Sequence, residues 1–557
     1  MSSTRYAIGV DFGTLSGRVV LVRVADGVEV ASSVSEYSHG VIDERLPESN
    51  VALEPDWALQ DPDDYLRVFG QAIPDVLEKS GVKPEEIVGV GIDFTACTML
   101  PALRDGTPLA RVPQWRANPH AWVKLWKHHA AQPEADKINR TAQEMQEPWL
   151  PRYGGKISSE WFFSKALQIL DEAPDVYAAS DRFIEAADWV VWQLTGVETR
   201  NTCTAGYKAI WSKRDGFPSN AFFGALDARF EHVVDDKMSR TLTPIGSRAG
   251  VLTLEAAALT HLLPGTPVAV ANVDAHVAVP ACTITTPGSL VSIMGTSTCD
   301  MLLSNTEAQI EGMCGYTEDG IVQGYLGYEA GQSCVGDGFG WFVENGVPPR
   351  YFEEAQASAR TIHQVLEAYA ARLKPGQSGL IALDWWNGNR SILVDAELSA
   401  VVVGITLATT APDIYRAWLE ATAFGRRVII ESMVKGGLEV NEIIACGGLP
   451  ERNKLLMQIY ADVTGLPIKV AASSNASALG SAMFGAVAAG KVKGGYDSIR
   501  EAAEKMAHLK EEVFNPDLSN KEMYDALYAE YVRLHDYFGR DSHSTVKRLR
   551  ELRKSVV

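Results

Sequence analysis

One pattern occurs twice, half a chain apart, and it limits the folds open to this sequence more than any other feature. Tyr6–Val10 is an apolar run that reads as a buried strand, Asp11-Phe-Gly-Thr-Leu-Ser-Gly17 interrupts it with small residues, and Arg18–Val24 resumes as a β-branched strand. Ser289–Met294, Gly295-Thr-Ser-Thr298 and Met301–Leu303 repeat that order, with Gly295-Thr296 echoing Gly13-Thr14. Two domains of like topology are the simplest account. Length points the same way, because 557 residues exceed the roughly 250–300 that one hydrophobic core organises.

The elements around each turn predict an α/β class. In the first half, Asp26-Gly27 is a hairpin turn into a third strand, Val28–Val34. Asp61-Pro62 starts a helix carrying Leu66, Phe69, Ile73, Val76 and Leu77 at helical spacing as far as Gly81, and Ile87–Phe94 is a further strand. In the second half a helix over Pro412–Val434 stops at Gly436-Gly437. A strand over Asn441–Cys446 then runs into Gly447-Gly448, and a helix over Asn453–Thr464, a strand over Pro467–Ala471 and the alanine-rich Ala476–Gly490 complete a β-α-β-α succession. A last helix, Lys521–Phe538, places Met523, Leu527, Tyr531 and Leu534 on one face. Whether it covers its own domain or a partner in a homodimer is open at this level.

Composition removes several function classes. A net charge of -19 opposes nucleic-acid binding, and the C-terminal run Lys547, Arg548, Arg550, Arg553 and Lys554 reads as a solvated helical face. Seven scattered cysteines, with no C-x-x-C pair, support neither a disulfide framework nor a structural zinc site. Met1–Tyr6 lacks the order of a secretory signal, and no stretch approaches 18 uncharged apolar residues. The expectation is a protein of a reducing, cytoplasmic compartment without a membrane partner.

A Gly/Thr turn between two strands leaves backbone N–H groups facing an open concavity, which suits phosphate oxygens. Each of the two turns alone is equally a hairpin needing glycine for its φ; one in each half is a stronger signal. Asp11, at the end of a buried strand, is suited to hold Mg²⁺ through water, and Arg18 to add charge to a transferring phosphoryl group. In Val268-Ala-Val-Ala-Asn-Val-Asp274-Ala-His-Val-Ala-Val279 one carboxylate interrupts an apolar, strand-like run. Asp274 is therefore either a general base or the cap of a following helix. His276 is the rival base nearby, with packing as its simpler role.

These residues resemble the FGGY carbohydrate kinases, over roughly residues 5 to 490. Asp11-Phe-Gly-Thr14 is similar to the family's first phosphate loop, Gly295-Thr-Ser-Thr298 to its second, Asp274 to its base and Cys446-Gly-Gly-Leu449 to its adenosine loop. Ala400-Val-Val-Val-Gly404-Ile405, with Asp413-Ile414 and Leu419-Glu420, is similar to its C-terminal signature; Trp418 departs from it, where a small or aliphatic residue is usual.

The resemblance implies two ribonuclease-H-like domains of actin-like ATPase topology with a catalytic cleft between them. Residues 1–281 would carry sugar binding, the first phosphate loop and the base, and residues 282–557 ATP binding and a C-terminal helical tail. It further implies phosphoryl transfer from Mg·ATP to an alcohol, with Gly13, Thr14, Arg18, Gly295, Thr296, Ser297, Gly447, Gly448, Leu449 and Asn453 on the nucleotide, Asp11 on the metal and Asp274 as base. Asp93-Phe-Thr-Ala-Cys-Thr-Met-Leu100, Trp122-Val-Lys-Leu-Trp126, Asp188-Trp-Val-Val-Trp192, Ala205-Gly-Tyr-Lys208 and Gly327-Tyr-Glu-Ala-Gly-Gln-Ser333 resemble the members acting on L-ribulose. Xylulose and glycerol kinases usually carry Gly-Gln-x-His or Arg-Glu where this chain has Thr95-Ala96-Cys97. By that resemblance Ala96, Lys208, Asp274 and Glu329 line the sugar site, although Lys208 and Glu329 taken alone read as surface residues. A kinase for xylulose, ribitol or glycerol, and an actin-like ATPase without a small-molecule acceptor, are the alternatives.

Overall fold

Tyr6–Phe12 and Ser16–Arg23 pair antiparallel with Asp11 opposite Arg18, and Glu29–Glu36 extends the meander after the Asp26-Gly27 turn. This computed structural model describes residues 4–540 and 545–556; Met1–Ser3 lie outside the described residues, as does the side chain of Lys554. Two compact units emerge. The first comprises the chain up to Thr285, Tyr316–Gly327 and Asn475–His508, and the second comprises Thr286–Gly315, Tyr328–Ser474 and the chain from Leu509 onward.

In the first unit Ile87–Phe94 joins the meander in parallel on the other side of Tyr6–Phe12, so that Asp11 lies beside Asp93. Pro267–Ala269 and Asn272–Val273 follow in parallel, and antiparallel Arg248–Val251 closes the edge. The helix Pro62–Ser80 starts as expected, with the Asp61 carboxylate accepting from the Asp63 N–H at 2.9 Å, and ends at the left-handed Gly81. The helix Ala476–Ala489 lies directly on this sheet because glycine faces it: a Cβ on Gly9 would stand 1.8 Å from the Ala478 carbonyl, and one on Gly91 1.8 Å from that of Ser481.

Val268–Val279 is not one strand-like run. The strands stop at Ala269 and Val273, and Asp274–Ala281 is a helix. Alanines favour the helix, and an aspartate in its first turn meets the positive end of its dipole.

A separate four-stranded sheet in the first unit runs in the order Leu59–Gln60, Val123–Lys124, Met99–Ala102 and Arg182–Glu185. It belongs to an aromatic core that includes Trp122, Trp149, Trp161, Phe163 and Phe222.

The sheet of the second unit repeats the order of the first. Leu326–Gln332, Thr298–Ser304 and Gly288–Met294 lie side by side, Val440–Cys446 and Ile468–Ala471 continue in parallel, and antiparallel Leu509–Phe514 is the edge. The repeated hairpin thus marks two ribonuclease-H-like sheets. In each, the direction of strand addition reverses beside the hairpin, where open α/β sheets place ligands at the carboxyl ends of their strands.

The helix Lys521–Gly539 covers its own unit by a face that shares Tyr531 with the expected one but is shifted from it. Tyr524, Tyr528, Tyr531 and His535 are its buried residues, whereas Met523 is 48% exposed. Two buried acids help select this face: Tyr531 donates to Asp384 at 3.1 Å and Tyr524 to Glu420 at 3.4 Å, while Tyr528 donates to the exposed Glu431 at 2.8 Å. The basic run falls on the helix Thr545–Lys554, where Lys547 pairs with Asp395 and Arg550 donates to the Ala396 carbonyl at 2.7 Å.

Candidate active site

Three parallel strands of the first unit deliver carboxylates to one edge. Tyr6–Phe12 brings Asp11, Ile87–Phe94 brings Asp93, and Asn272–Val273, whose Asn272 registers with Asp93, leads directly to Asp274. Asp93 is fully buried and accepts from Ser481 Oγ at 2.5 Å. Burial first, then the charges of Asp11 and Asp274, push its carboxyl well above the usual range. Asp11 is also raised by burial, opposed by its hydrogen bond with Asp93 and by the charge of Arg18. Asp274 Oδ1 accepts from the Ala275 N–H at 2.6 Å. His276 is buried, its ring 4.2 Å from that of Tyr207.

Side chains brace the first Gly-Thr turn. The Gly13 N–H donates to the Ser16 carbonyl at 3.0 Å, Tyr37 OH to the Gly13 carbonyl at 3.0 Å, and Gln60 to the Thr14 carbonyl at 2.7 Å. Trp126 Nε1 donates to Thr14 Oγ1 at 3.0 Å. The carbonyls that would repel a phosphate oxygen are thus occupied. Arg18 is exposed, and Asn475, itself bonded to Glu29 at 2.7 Å, accepts from its guanidinium at 2.7 Å.

Ala96 is half-buried on the turn Thr95–Thr98, whose ends are joined by Thr95 Oγ1 and Thr98 Oγ1 at 2.8 Å. Lys208 ends the helix Thr202–Lys208, and Glu329 lies on Leu326–Gln332 of the second unit. Neither is a surface residue: Lys208 is 8% and Glu329 7% exposed, and the Lys208 ammonium lies 5.5 Å from the Trp161 ring. Charges buried to that degree need a task or a partner.

In the second unit backbone amides brace the turn. The Val335 and Asp337 N–H groups donate to the Thr296 carbonyl at 2.8 and 3.3 Å, and that of Gly336 to the Gly295 carbonyl at 3.1 Å. These donors begin the helix Gly336–Gly346. Gly295 and Thr296 are exposed and Ser297 is half-buried. Cys446 registers with Ile293, so Gly447 follows beside the turn. Gly447 has φ +92°, and a Cβ there would lie 2.6 Å from the Met294 carbonyl. Gly448 and Leu449 open the short helix Gly448–Arg452. Asn453 is buried; it caps the next helix by accepting from the Leu456 N–H at 2.8 Å and bonds Tyr415 at 3.3 Å.

Sequence reasoning quoted Asp93 and Trp126 without giving either a role, and overlooked Gln60 and Tyr37. Asp93 carries the same signal as Asp11, a carboxylate closing an apolar strand; the braces of Thr14 carry none, because they come from segments distant in sequence.

The sequence matches the family model for the N-terminal domain of FGGY carbohydrate kinases over residues 6–280 and that for the C-terminal domain over residues 290–489. A ribulokinase of Geobacillus thermodenitrificans is 57% identical over 552 residues, 99% of this chain and 98% of its own. A ribulokinase of Mycolicibacterium smegmatis is 51% identical, covering 99% and 97%. Among solved structures, a xylulose kinase from Rhodospirillum rubrum superposes with a TM-score of 0.75 at 22% identity over 95% of this chain and 98% of its own. A gluconate kinase from Lactobacillus acidophilus gives 0.79 at 16% identity over 96% and 99%. These structures share the fold, and the sequence matches settle the relationship: the chain belongs to the FGGY family of carbohydrate kinases.

Proposed function

We propose that this chain transfers the γ-phosphoryl group of ATP to the terminal hydroxyl of L-ribulose, giving L-ribulose 5-phosphate and ADP, a step in L-arabinose breakdown. The observation that carries the reading is the convergence of Asp11, Asp93 and Asp274 at the edge of three parallel strands, beside a Gly-Thr turn. The substrate follows from relatives named ribulokinase at 57% identity.

Asp274 acts as general base, taking the hydroxyl proton as that oxygen bonds to the γ-phosphorus while the bond to ADP breaks and ADP keeps the electron pair. Gly13, Thr14 and Arg18 in the first unit, and Gly295, Thr296, Ser297, Gly447, Gly448, Leu449 and Asn453 in the second, contact the nucleotide. Residues 1–281 serve the sugar and residues 282–557 serve ATP. Ala96, Lys208, Asp274 and Glu329 line the sugar, and Lys208 and Glu329 pair its hydroxyls, so that an analogue leaving one of these groups unpaired is rejected.

Mg²⁺ fits Asp11, because it favours one or two carboxylates completed by water and phosphate oxygens. Asp93 beside Asp11 is engaged by Ser481. Bound there, the cation would neutralise phosphate charge.

We place the reaction in the cytoplasm; seven scattered cysteines with no C-x-x-C pair suit a reducing compartment. A homodimer would have to use a surface other than the tyrosine face of Lys521–Gly539, which its own unit occupies.

ADP release with Mg·ATP and L-ribulose, D-ribulose, L-xylulose, D-xylulose, ribitol, glycerol or no acceptor tests the reading. Strongest stimulation by L-ribulose is expected. Preference for another acceptor would overturn the substrate, and acceptor-independent hydrolysis would overturn the kinase reading.

A further inference from the structure

Lys165 sits on the helix Phe162–Glu172 with no exposed surface. An ammonium is costly to bury, and burial lowers this one to about 8. Its Nζ donates to the Cys97 carbonyl at 2.6 Å and to the Leu125 carbonyl at 2.7 Å. Glu185 and Glu160 are near enough to act on its charge. Glu185 is 5% exposed, and among the described residues neither of its carboxylate oxygens has a hydrogen-bond partner.

Both carbonyls occupy strategic points. Cys97 follows Ala96 and has φ +61°, a left-handed conformation that is strained for a residue with a Cβ. The turn therefore needs holding: Thr98 is bonded to Thr95 through its hydroxyl and accepts the Ala186 N–H at 2.6 Å through its carbonyl, while Lys165 holds Cys97. Leu125, whose N–H donates to the Ala58 carbonyl at 3.0 Å, precedes Trp126, the donor to Thr14 Oγ1. One ammonium thus joins the segment next to Ala96 to the segment that reaches the first phosphate turn. A methionine of similar length would fill the volume and leave both carbonyls without this donor.

We propose that Lys165 is a positioning residue for the acceptor sugar: through Cys97 and Leu125 it sets the turn bearing Ala96 in register with the Trp126–Thr14 brace of the phosphate turn. The inference rests on the reading of Ala96 as a sugar contact. Supporting elements that hold such groups within about 0.5 Å decide whether a site works, and a shift of about 1 Å costs up to 10²-fold.

Steady-state kinetics of Lys165→Met and Lys165→Gln, with L-ribulose and ATP varied separately and the Tm of each variant recorded, tests it. Lys165→Met is expected to raise KM for L-ribulose about 10-fold or more and KM for ATP less than 3-fold. Lys165→Gln, whose amide restores N–H donors without the charge, is expected to recover part of the loss. A purely structural lysine lowers Tm and the active fraction, so kcat falls while KM for L-ribulose stays within twofold of wild type; that result, or failure of both variants to fold, overturns the proposal. If only Lys165→Met fails to fold, the KM of Lys165→Gln decides by the same criterion. Wild-type protein inert toward L-ribulose but active on another acceptor overturns the substrate reading alone, and Lys165 is then judged on that acceptor; inertness toward every acceptor overturns both.

Discussion

The two Gly-Thr turns occupy the same place in the same sheet topology and are built from opposite materials. Tyr37, Gln60 and Trp126 hold the first through its carbonyls and the Thr14 hydroxyl. Amides of Val335, Gly336 and Asp337 hold the second. Two residues before the glycine, the first half has Asp11 and the second Ile293; five residues after it, the first has Arg18 and the second Asp300. Arg18 is exposed, whereas Asp300 and Arg426 are both fully buried and paired at 3.1 Å. The first turn therefore offers charge to a ligand. Beneath the second, charge is spent on joining the sheet to the long helix Ala411–Lys435, and the turn residues Gly295, Thr296 and Ser297 carry none.

That contrast predicts that substitutions near the first turn remove chemistry while those under the second remove stability. Asp274→Asn should lower turnover by about 10² or more while ADP still raises the Tm of the variant as it does that of wild type; unchanged turnover would remove Asp274 from the mechanism. Arg426→Met leaves the fully buried Asp300 carboxylate without its cation and should cost about 3–5 kcal/mol in chemical denaturation. Arg18→Met, at an exposed position, should change stability by less than about 0.5 kcal/mol and act on turnover instead. Similar stability losses for Arg18→Met and Arg426→Met would break the comparison.

The network under the second turn also has a pH signature. Gln332 donates to Asp384 at 2.8 Å and Tyr531 at 3.1 Å, yet burial raises the Asp384 carboxyl to about 6. A carboxyl with a raised folded-state pKa keeps its proton in the folded state after the unfolded chain has lost its own. Stability therefore falls as pH rises from about 4 through about 6 and levels off above. Asp384→Asn should flatten that slope, an effect of the order of 1–3 kcal/mol, read as Tm against pH. A slope identical to wild type would assign the dependence to another group.

Sheet, hairpin and turn were legible because each rests on a local pattern: an apolar run, a small-residue turn, a cap such as Asp61. The same locality explains the misplaced face of Lys521–Gly539. Its leucines and methionine outrank its tyrosines on any hydrophobic scale, but Asp384 and Glu420, buried and far away in sequence, require the hydroxyls. Lys208 and Glu329 read as surface for a related reason, since a charged side chain carries no sign of its own burial. Val268–Val279 read as one strand-like run because Ala and Val occur in strands and helices alike; the parallel strand ends at Val273 and a helix begins at Asp274. Lys165 and Trp126 were beyond reach, their partners being main-chain carbonyls and a hydroxyl supplied by other segments.

The smallest effect sharpens the comparison most, because it touches a brace rather than a charge. Trp126→Phe keeps an aromatic ring in a half-buried position and deletes only the donor to Thr14 Oγ1. One neutral hydrogen bond contributes about 1 kcal/mol, so KM for ATP should rise roughly fivefold with KM for L-ribulose nearly unchanged. The second turn offers no equivalent side-chain deletion, since its braces are amides that every residue except proline retains. If Trp126→Phe leaves KM for ATP at the wild-type value, the first turn is held as firmly by its backbone as the second, and the distinction between them reduces to Asp11 and Arg18 alone.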